Sequence, residues 1–310
     1  MKRLSRSVSK VLRQWVFDSE LCVLSYQVVS DEDIAVDQYL TVPSSNSSST
    51  HGLIEARAKQ IPGAQAVEAW DGKLTFRELW LKSTRLASRL AACGIGTGSF
   101  VGFCFPKSVT AVISIVAIQI TGAAFVPLDP EAPAARWREI LDSLNCSMVI
   151  TSPTFQEHSR NREKDVFVVL DEDFETPLEL PSTLSVQTDP RDPSFVIFTS
   201  GSTGKPKGII MEHQTICSLS EGHAKVLEIE QGTRVFCFSS YTFDAGIMDV
   251  LLPLIRGACV CVPSEHDRLN DLAGSITRLQ ANWAFFTPTI AEMYRASGPW
   301  LLGVRLLPRR

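Results

Sequence analysis

The sequence predicts an α/β protein whose parallel-rich sheets are flanked by helices. Short, continuously apolar stretches such as Phe100–Phe105, Ser194–Thr199 and Ala258–Val262 read as strands buried on both faces, and stretches with helical spacing separate them. Alternation of that kind makes parallel crossovers, with ligands bound outside the carboxyl ends of the strands. The composition agrees: 310 residues, 45% hydrophobic, 21% charged and a net charge of −4. Such a chain is neither disordered nor fibrous, and it lacks the basic excess of a dedicated nucleic-acid binder.

Taken in order, residues 1–40 hold one expected helix, Val8 to Phe17, with Ser7 as a possible N-cap. Seven of the ten residues in 41–50 are Ser or Thr, which have almost nothing to bury, so this stretch reads as a linker and the folded part is expected to begin near His51. A helix over Leu53–Gln60, a strand over Ala66–Trp70 and an Asp71-Gly72 turn follow. Leu79, Leu86 and Leu90 are spaced for a helix over Arg77–Cys93, which the glycines of 94–98 stop. After the Phe100–Phe105 strand, residues 108–128 carry no charge. A run that long can span a bilayer. Ser114, Gln119, Thr121 and Gly122 instead favour a buried helix, Val109 to Ile120, a glycine stop and a short buried strand, so no membrane segment is expected.

Trp137–Leu144 is the next expected helix, with Ser147–Thr151 and Val166–Leu170 as strands and residues 171–193 as an acidic, proline-rich surface loop. Ser194–Thr199 is a strand, His213–Val226 a helix, Thr233–Phe238 a strand, and Ile247–Ile255 a helix kinked or shortened by Pro253. Ala258–Val262, Asp267–Gln280 and Trp283–Phe286 complete the pattern as strand, helix and strand. The eight cysteines include no C-x-x-C pair, and the five histidines supply no H-x₃₋₅-H pair, so no zinc site is expected. The cysteines read as small buried hydrophobes of a reducing compartment, and the chain is placed in the cytoplasm.

The sharpest chemical signal is at 199–208. An apolar strand runs into Thr199, Ser200, Gly201, Ser202, Thr203, Gly204, Lys205, Pro206, Lys207 and Gly208. Glycines let a backbone approach a ligand closely, hydroxyls and exposed N–H groups donate to phosphate oxygens, and two lysines add positive charge. The spacing is neither that of a Walker A loop nor G-x-G-x-x-G.

This loop resembles the signature of the AMP-forming adenylating enzymes. Leu74–Leu79, Thr121–Pro130, Tyr241–Gly246 and Phe286–Thr289 resemble, in family order, motifs of the adenylation domains of nonribosomal peptide synthetases, and Gly257–Asn270 is especially similar to the fungal ones. The resemblance covers about residues 51–297. It implies the N-terminal part of the acyl-CoA synthetase and luciferase-like fold, and activation of an amino-acid carboxylate by ATP with Mg²⁺, releasing pyrophosphate. The product would be loaded on a phosphopantetheine carrier. Residues 199–208 would hold the triphosphate. Asp244 would anchor the α-amino group, and Ala245, Met248 and Phe285 would line the side-chain pocket. Asp244 also stands where a helix N-cap would, and the two roles are compatible. Gly246 replaces the serine usual in that motif.

The family's later motifs, including its catalytic lysine, are not matched, and no lysine follows Lys225. The expectation is therefore a partial adenylation domain over 51–297, preceded at 1–50 by a stretch resembling the linker after a condensation domain and followed by a divergent tail at 298–310. Carrier and condensation domains of a larger synthetase are the implied partners. An acyl- or aryl-CoA ligase fragment and a non-catalytic remnant remain as alternatives.

Overall fold

The computed structural model describes residues 48–146, 148–157, 165–174, 188–200, 206–296 and 305–306. They all fall within one unit, Ser45–Arg309. The expected Val8–Phe17 helix and most of the 1–50 linker lie outside the described residues, as does the 298–310 tail apart from 305–306.

Helix α1 (Thr50–Gln60) leads into a hairpin of β1 (Gln65–Ala69) and β2 (Gly72–Thr75). Ala69 pairs with Gly72, so the two turn residues are Trp70 and Asp71, one position earlier than the Asp71-Gly72 turn expected. In this position the Asp71 carboxylate accepts from the backbone N–H of Val109 at 3.1 Å. This N–H opens α3 (Val109–Ile120), where an anion is favoured by the helix dipole. Ser108 caps the same helix through the Ala111 N–H. Helix α2 (Phe76–Ala92) starts with a capping box in which Thr75 and Glu78 each hold the other's backbone N–H.

Strands β3 (Phe100–Cys104) and β4 (Ala124–Pro127) flank α3, whose residues from Ala111 to Ile120 are all buried. No described helix is long and apolar enough to cross a membrane. Helix α4 (Ala134–Ser143), β5 (Met148–Thr151) and β6 (Asp165–Val168) follow. The expected loop at 171–193 begins instead with a 3-10 turn, Asp171–Phe174, that is anchored in the fold. Asp173 is buried, paired with Arg89 at 2.8 Å, and accepts from the Leu170 N–H.

Strand β7 (Pro193–Ser200) pairs antiparallel with β8 (Pro206–Glu212), a strand that the sequence pattern does not predict. Helix α5 (His213–Leu227), β9 (Arg234–Phe236), α6 (Asp244–Arg256) and β10 (Cys259–Val262) continue the alternation. Pro253 lies in the last turns of α6 and the helix runs past it. The Pro253 carbonyl accepts from the Ala258 N–H, and Gly257 ends the helix at φ 77°. The single helix expected over 267–280 is two, α7 (Glu265–Asn270) and α8 (Leu272–Arg278). Asp271 separates them by turning its side chain onto the Gly274 N–H as an N-cap. Strand β11 (Trp283–Ala284), helix α9 (Pro288–Ala296) and β12 (Arg305–Leu306) complete the described chain.

Among the described residues the strands form two six-stranded sheets, ordered β12-β11-β9-β10-β1-β2 and β6-β5-β3-β4-β7-β8. Each is parallel except for one antiparallel edge strand, β2 in the first and β8 in the second. The main core joins both sheets, with Val67 and Val260 from one, Phe103 and Phe125 from the other, and the aliphatic residues of α3 among them. Outer helices close the far faces. Trp137 and Leu141 of α4 pack on Val126 and Val149, while Ile276 of α8 packs with Phe236 and Cys261. The result is the helix-flanked, mostly parallel α/β arrangement that the alternation predicts. Six of the seven described cysteines are buried, and Cys93 is exposed.

A buried polar network ties four elements together behind β7. Gln119 of α3 donates to Ser194 Oγ of β7 at 2.5 Å and accepts from Thr50 Oγ1 at 2.7 Å. The Thr50 N–H donates at 3.2 Å to Nδ1 of His213, the first residue of α5, and the Thr50 hydroxyl oxygen lies 2.7 Å from the same nitrogen. An N–H donating to Nδ1 puts the ring proton on Nε2, which is buried without a partner. Burial lowers the His213 pKa to about 3 and that of the neighbouring His51 to about 4, so both rings are neutral at pH 7.

Candidate functional site

The two halves of the expected site are built differently. The phosphate-loop residues flank a hairpin. Thr199 and Ser200 end β7, and Lys207 and Gly208 begin β8, with Thr199 opposite Lys207 and Phe198 opposite Gly208. The two ends of the 199–208 stretch are therefore strand. Gly201, Ser202, Thr203, Gly204 and Lys205 lie outside the described residues. Thr199 and Lys207 are exposed, and the Thr199 hydroxyl faces the Lys207 carbonyl at 3.5 Å. A Cβ at Gly208 would sit 3.0 Å from Phe198 Cζ and 3.2 Å from Val196 Cγ1. This glycine therefore makes room for its cross-strand neighbours. An exposed hydroxyl and an ammonium at the carboxyl end of β7, beside parallel β4, suit a phosphate ester. Among the described residues no group of three His, Cys, Asp or Glu side chains could hold a metal ion, and a Mg²⁺ carried on substrate phosphates and water needs no such group.

Asp244, Ala245, Met248 and Phe285 come together on one cavity of about 360 Å³. Helix α6 supplies the first three, Asp244 and Ala245 side by side and Met248 one turn on, with Asp249 and Leu252 on the same face. Strand β11 and the residue after it supply Trp283 and Phe285, two apart and so on one side, while Ala284 and Phe286 point to the α8 side. Asp244 is exposed at the first position of α6. The N-cap position belongs to Phe243, so the capping role considered for Asp244 is not the one observed. Its Oδ1 instead accepts from the adjacent Ala245 N–H at 2.8 Å.

Gly246 has a steric reason to replace serine. A Cβ there would run into the backbone carbonyl of Ser240, with the Ser239 carbonyl oxygen 2.7 Å away. The loop between β9 and α6 thus folds directly over the helix start. A second buried polar cluster, with no signature in the sequence, holds this loop from beneath. Lys107, 1% exposed, donates from Nζ to Cys237 Sγ at 3.1 Å and lies 4.3 Å from the centre of the Tyr241 ring. Asp249 accepts from the Ser239 N–H at 3.4 Å. Burial raises the Asp249 pKa to about 7 against the pull of Lys107. The Tyr241 hydroxyl is buried without a partner.

Lys107 and Tyr241 also border a second cavity of about 340 Å³, with Asp129 and Arg268, at the carboxyl ends of β3, β4, β9 and β10. The β9–α6 loop therefore separates two cavities. Trp283 and Leu252 could have been found from sequence, at i−2 from Phe285 on a strand and i+4 from Met248 on a helix. Lys107 could not, because 130 residues separate it from Cys237.

A family model described as AMP-binding enzyme matches residues 54–306. The chain belongs to the AMP-binding enzyme family. Within that family it is 40% identical over 300 residues to D-lysergyl-peptide-synthetase subunit 1 of Claviceps purpurea, covering 95% of this chain and 8% of that protein. It is likewise 40% identical over 249 residues to nonribosomal peptide synthetase apmB of Penicillium brevicompactum, covering 80% of this chain and 11% of that one. The chain thus spans about a tenth of the length of these two relatives. Among solved structures, nonribosomal peptide synthetase FmoA3 in its alpha-methyl-L-serine-AMP bound form superposes with a TM-score of 0.78 at 23% identity, over 98% of this chain and 35% of that one. VinN in complex with L-aspartate superposes with 0.72 at 24% identity, over 84% and 72%. These likenesses establish the AMP-binding fold, of which the chain carries the N-terminal part.

Proposed function

We propose that this chain activates an amino-acid carboxylate with ATP, forming an aminoacyl-AMP and releasing pyrophosphate, as part of a nonribosomal peptide synthetase. The observation that carries this reading is the convergence of Asp244, Ala245, Met248 and Phe285 on one cavity. ATP supplies the α-phosphate that the carboxylate attacks. Asp244 receives the substrate ammonium at the cavity mouth and so orients the carboxylate away from the apolar walls. Thr199 and Lys207, with the residues between them, bind the triphosphate by hydrogen bonds and charge. In the same reading residues 51–297 form the nucleotide-binding unit, 1–50 lead in from a condensation domain, and 298–310 are a tail. A phosphopantetheine thiol on a carrier domain receives the aminoacyl group as a thioester in the cytoplasm, and AMP leaves.

The test is amino-acid-dependent ATP–pyrophosphate exchange, run on this chain and on the protein extended by its neighbouring domains. Exchange with at least one amino acid, lost on Asp244→Ala, is expected. Exchange with fatty or aryl acids but with no amino acid would make the protein an acyl- or aryl-CoA ligase and sink the reading.

A further inference from the structure

We propose that the cavity accepts only amino acids with a bulky, purely hydrocarbon side chain, of leucine to phenylalanine size. The inference rests on the adenylation reading and narrows its substrate. The cavity has further lining residues besides Asp244, Ala245, Met248 and Phe285. Leu219, Leu227, Ile229, Val235, Leu252 and Trp283 add apolar surface to its walls. Among the described lining residues, the two polar side chains other than Asp244 are engaged or withdrawn. The Trp283 indole N–H donates to the Leu227 carbonyl at 3.0 Å, so it offers nothing to a ligand. Asp249 is only 3% exposed and is held by the Ser239 N–H. Asp244, the one exposed carboxylate among the described lining residues, stands at the mouth on the first turn of α6 and is taken up by the substrate ammonium.

Asp244 is therefore the one exposed charge on an otherwise apolar described lining. A hydroxyl or amide carried inward would lose its water and find no partner, which costs binding. Size sets the other limit. A cavity of ~150 Å³ already holds benzene. One of about 360 Å³ takes a branched aliphatic or phenyl side chain together with the amino-acid head, and leaves small side chains with unfilled space.

The test measures binding of non-hydrolysable aminoacyl sulfamoyl adenosines by calorimetry, using near-isosteric pairs. Phenylalanyl should bind roughly 10–100-fold tighter than tyrosyl, and leucyl than asparaginyl, the range expected when an apolar pocket meets an unpartnered polar group. Met248→Trp should weaken the phenylalanyl probe at least about tenfold while changing the alanyl probe less than about twofold. Should that variant fail to fold, Leu252→Ala decides, since it should raise affinity for a naphthylalanyl probe relative to phenylalanyl, and an unchanged ratio would overturn the proposal. Equal or tighter binding of the polar member of each pair overturns it too, yet leaves amino-acid adenylation standing. Binding of a salicyl sulfamoyl adenosine with no aminoacyl probe bound, or no binding of any probe, overturns both.

Discussion

The network around Thr50 and the cluster around Lys107 each hold one side of the candidate site, and they do so by different physics. Behind the phosphate hairpin, Ser194, Gln119, Thr50 and His213 form a chain of neutral hydrogen bonds linking β7, α3, α1 and α5. Beneath the substrate cavity, Lys107, Cys237, Tyr241 and Asp249 bring ionisable groups together with fewer partners, and the Tyr241 hydroxyl has none. Neutral networks gain from burial because low dielectric strengthens each bond. Ionisable clusters are penalised by it, and the penalty appears as shifted titration. The first arrangement fixes a strand in place. The second leaves the β9–α6 loop balanced on charge, between two cavities.

The largest expected effect separates the two through pH. His51 and His213 have pKa values lowered when folded, from 6.5 to about 4 and about 3. Their contribution to stability is complete above pH 6.5 and is lost as the pH falls through those values. Asp249 is raised from 3.8 to about 7, so its contribution is complete below 3.8 and is lost as the pH rises through 7. Between pH 4 and 6.5 two histidines outweigh one carboxyl, and stability rises with pH. Asp249→Asn removes the opposing slope. That variant should match the parent near pH 4 and exceed it at pH 8 by on the order of 4 kcal/mol, the value of about three pKa units. Urea midpoints across pH measure this. A parallel pair of profiles would mean that Asp249 is not strained by burial.

Next in size is Gly246→Ser, which restores the residue common to the related motif. The new Cβ meets the Ser240 carbonyl, so the β9–α6 loop must move and take the Ser239 N–H from Asp249. A loss of about 2–3 kcal/mol is expected, the cost of forcing atoms into a packed backbone. It should be accompanied by a downward change in Tm, with the His-dependent part of the pH profile intact. Thr50→Val acts on the other cluster and more mildly. It keeps the shape but takes the hydroxyl from Gln119 Oε1, at a cost of about 1–3 kcal/mol. Its slope of stability between pH 7 and 8 (roughly the interval above both histidine transitions) should match the parent's.

These contrasts mirror what could be read from the chain alone. Helix α3 was legible to the residue because its cap, its unbroken apolar run and its glycine stop agree. The convergence of Asp244, Ala245, Met248 and Phe285 on one cavity was also legible, since two of them sit in one short motif and the others lie within three residues of one. Strand β8 was not, because Lys-Pro-Lys-Gly has the chemistry of a turn and because Ile209 and Ile210, its apolar residues, are half exposed at a sheet edge. The 267–280 helix was overdrawn because apolar spacing continues through Asp271 while that side chain caps a new helix. Lys107 and Asp249 were invisible as a pair, since only the stacking of the two sheets brings them near one another.

The smallest effect concerns the rim of the neutral network. Glu55 pairs with Lys59 at 2.8 Å on the surface of α1, and its charge also raises the pKa of His51 against burial. An exposed ion pair of this kind is worth ~0–1 kcal/mol, because water screens it and two long side chains must be ordered. Glu55→Gln should therefore cost less than about 0.5 kcal/mol at pH 7, within the range for surface substitutions. The same change removes the one charge favouring protonated His51, so its titration moves further down. The unfolded chain still takes up its proton near the ordinary histidine value, while the folded chain refuses one for longer. Stability lost on acidification therefore runs on to lower pH and is larger in total. The variant should fall further below the parent at pH 3–4 than at pH 7. NMR titration of the ring protons and urea midpoints over that interval check both statements. An upward shift of His51 would show that Glu55 acts through structure instead of charge, and would detach this helix face from the buried network it covers.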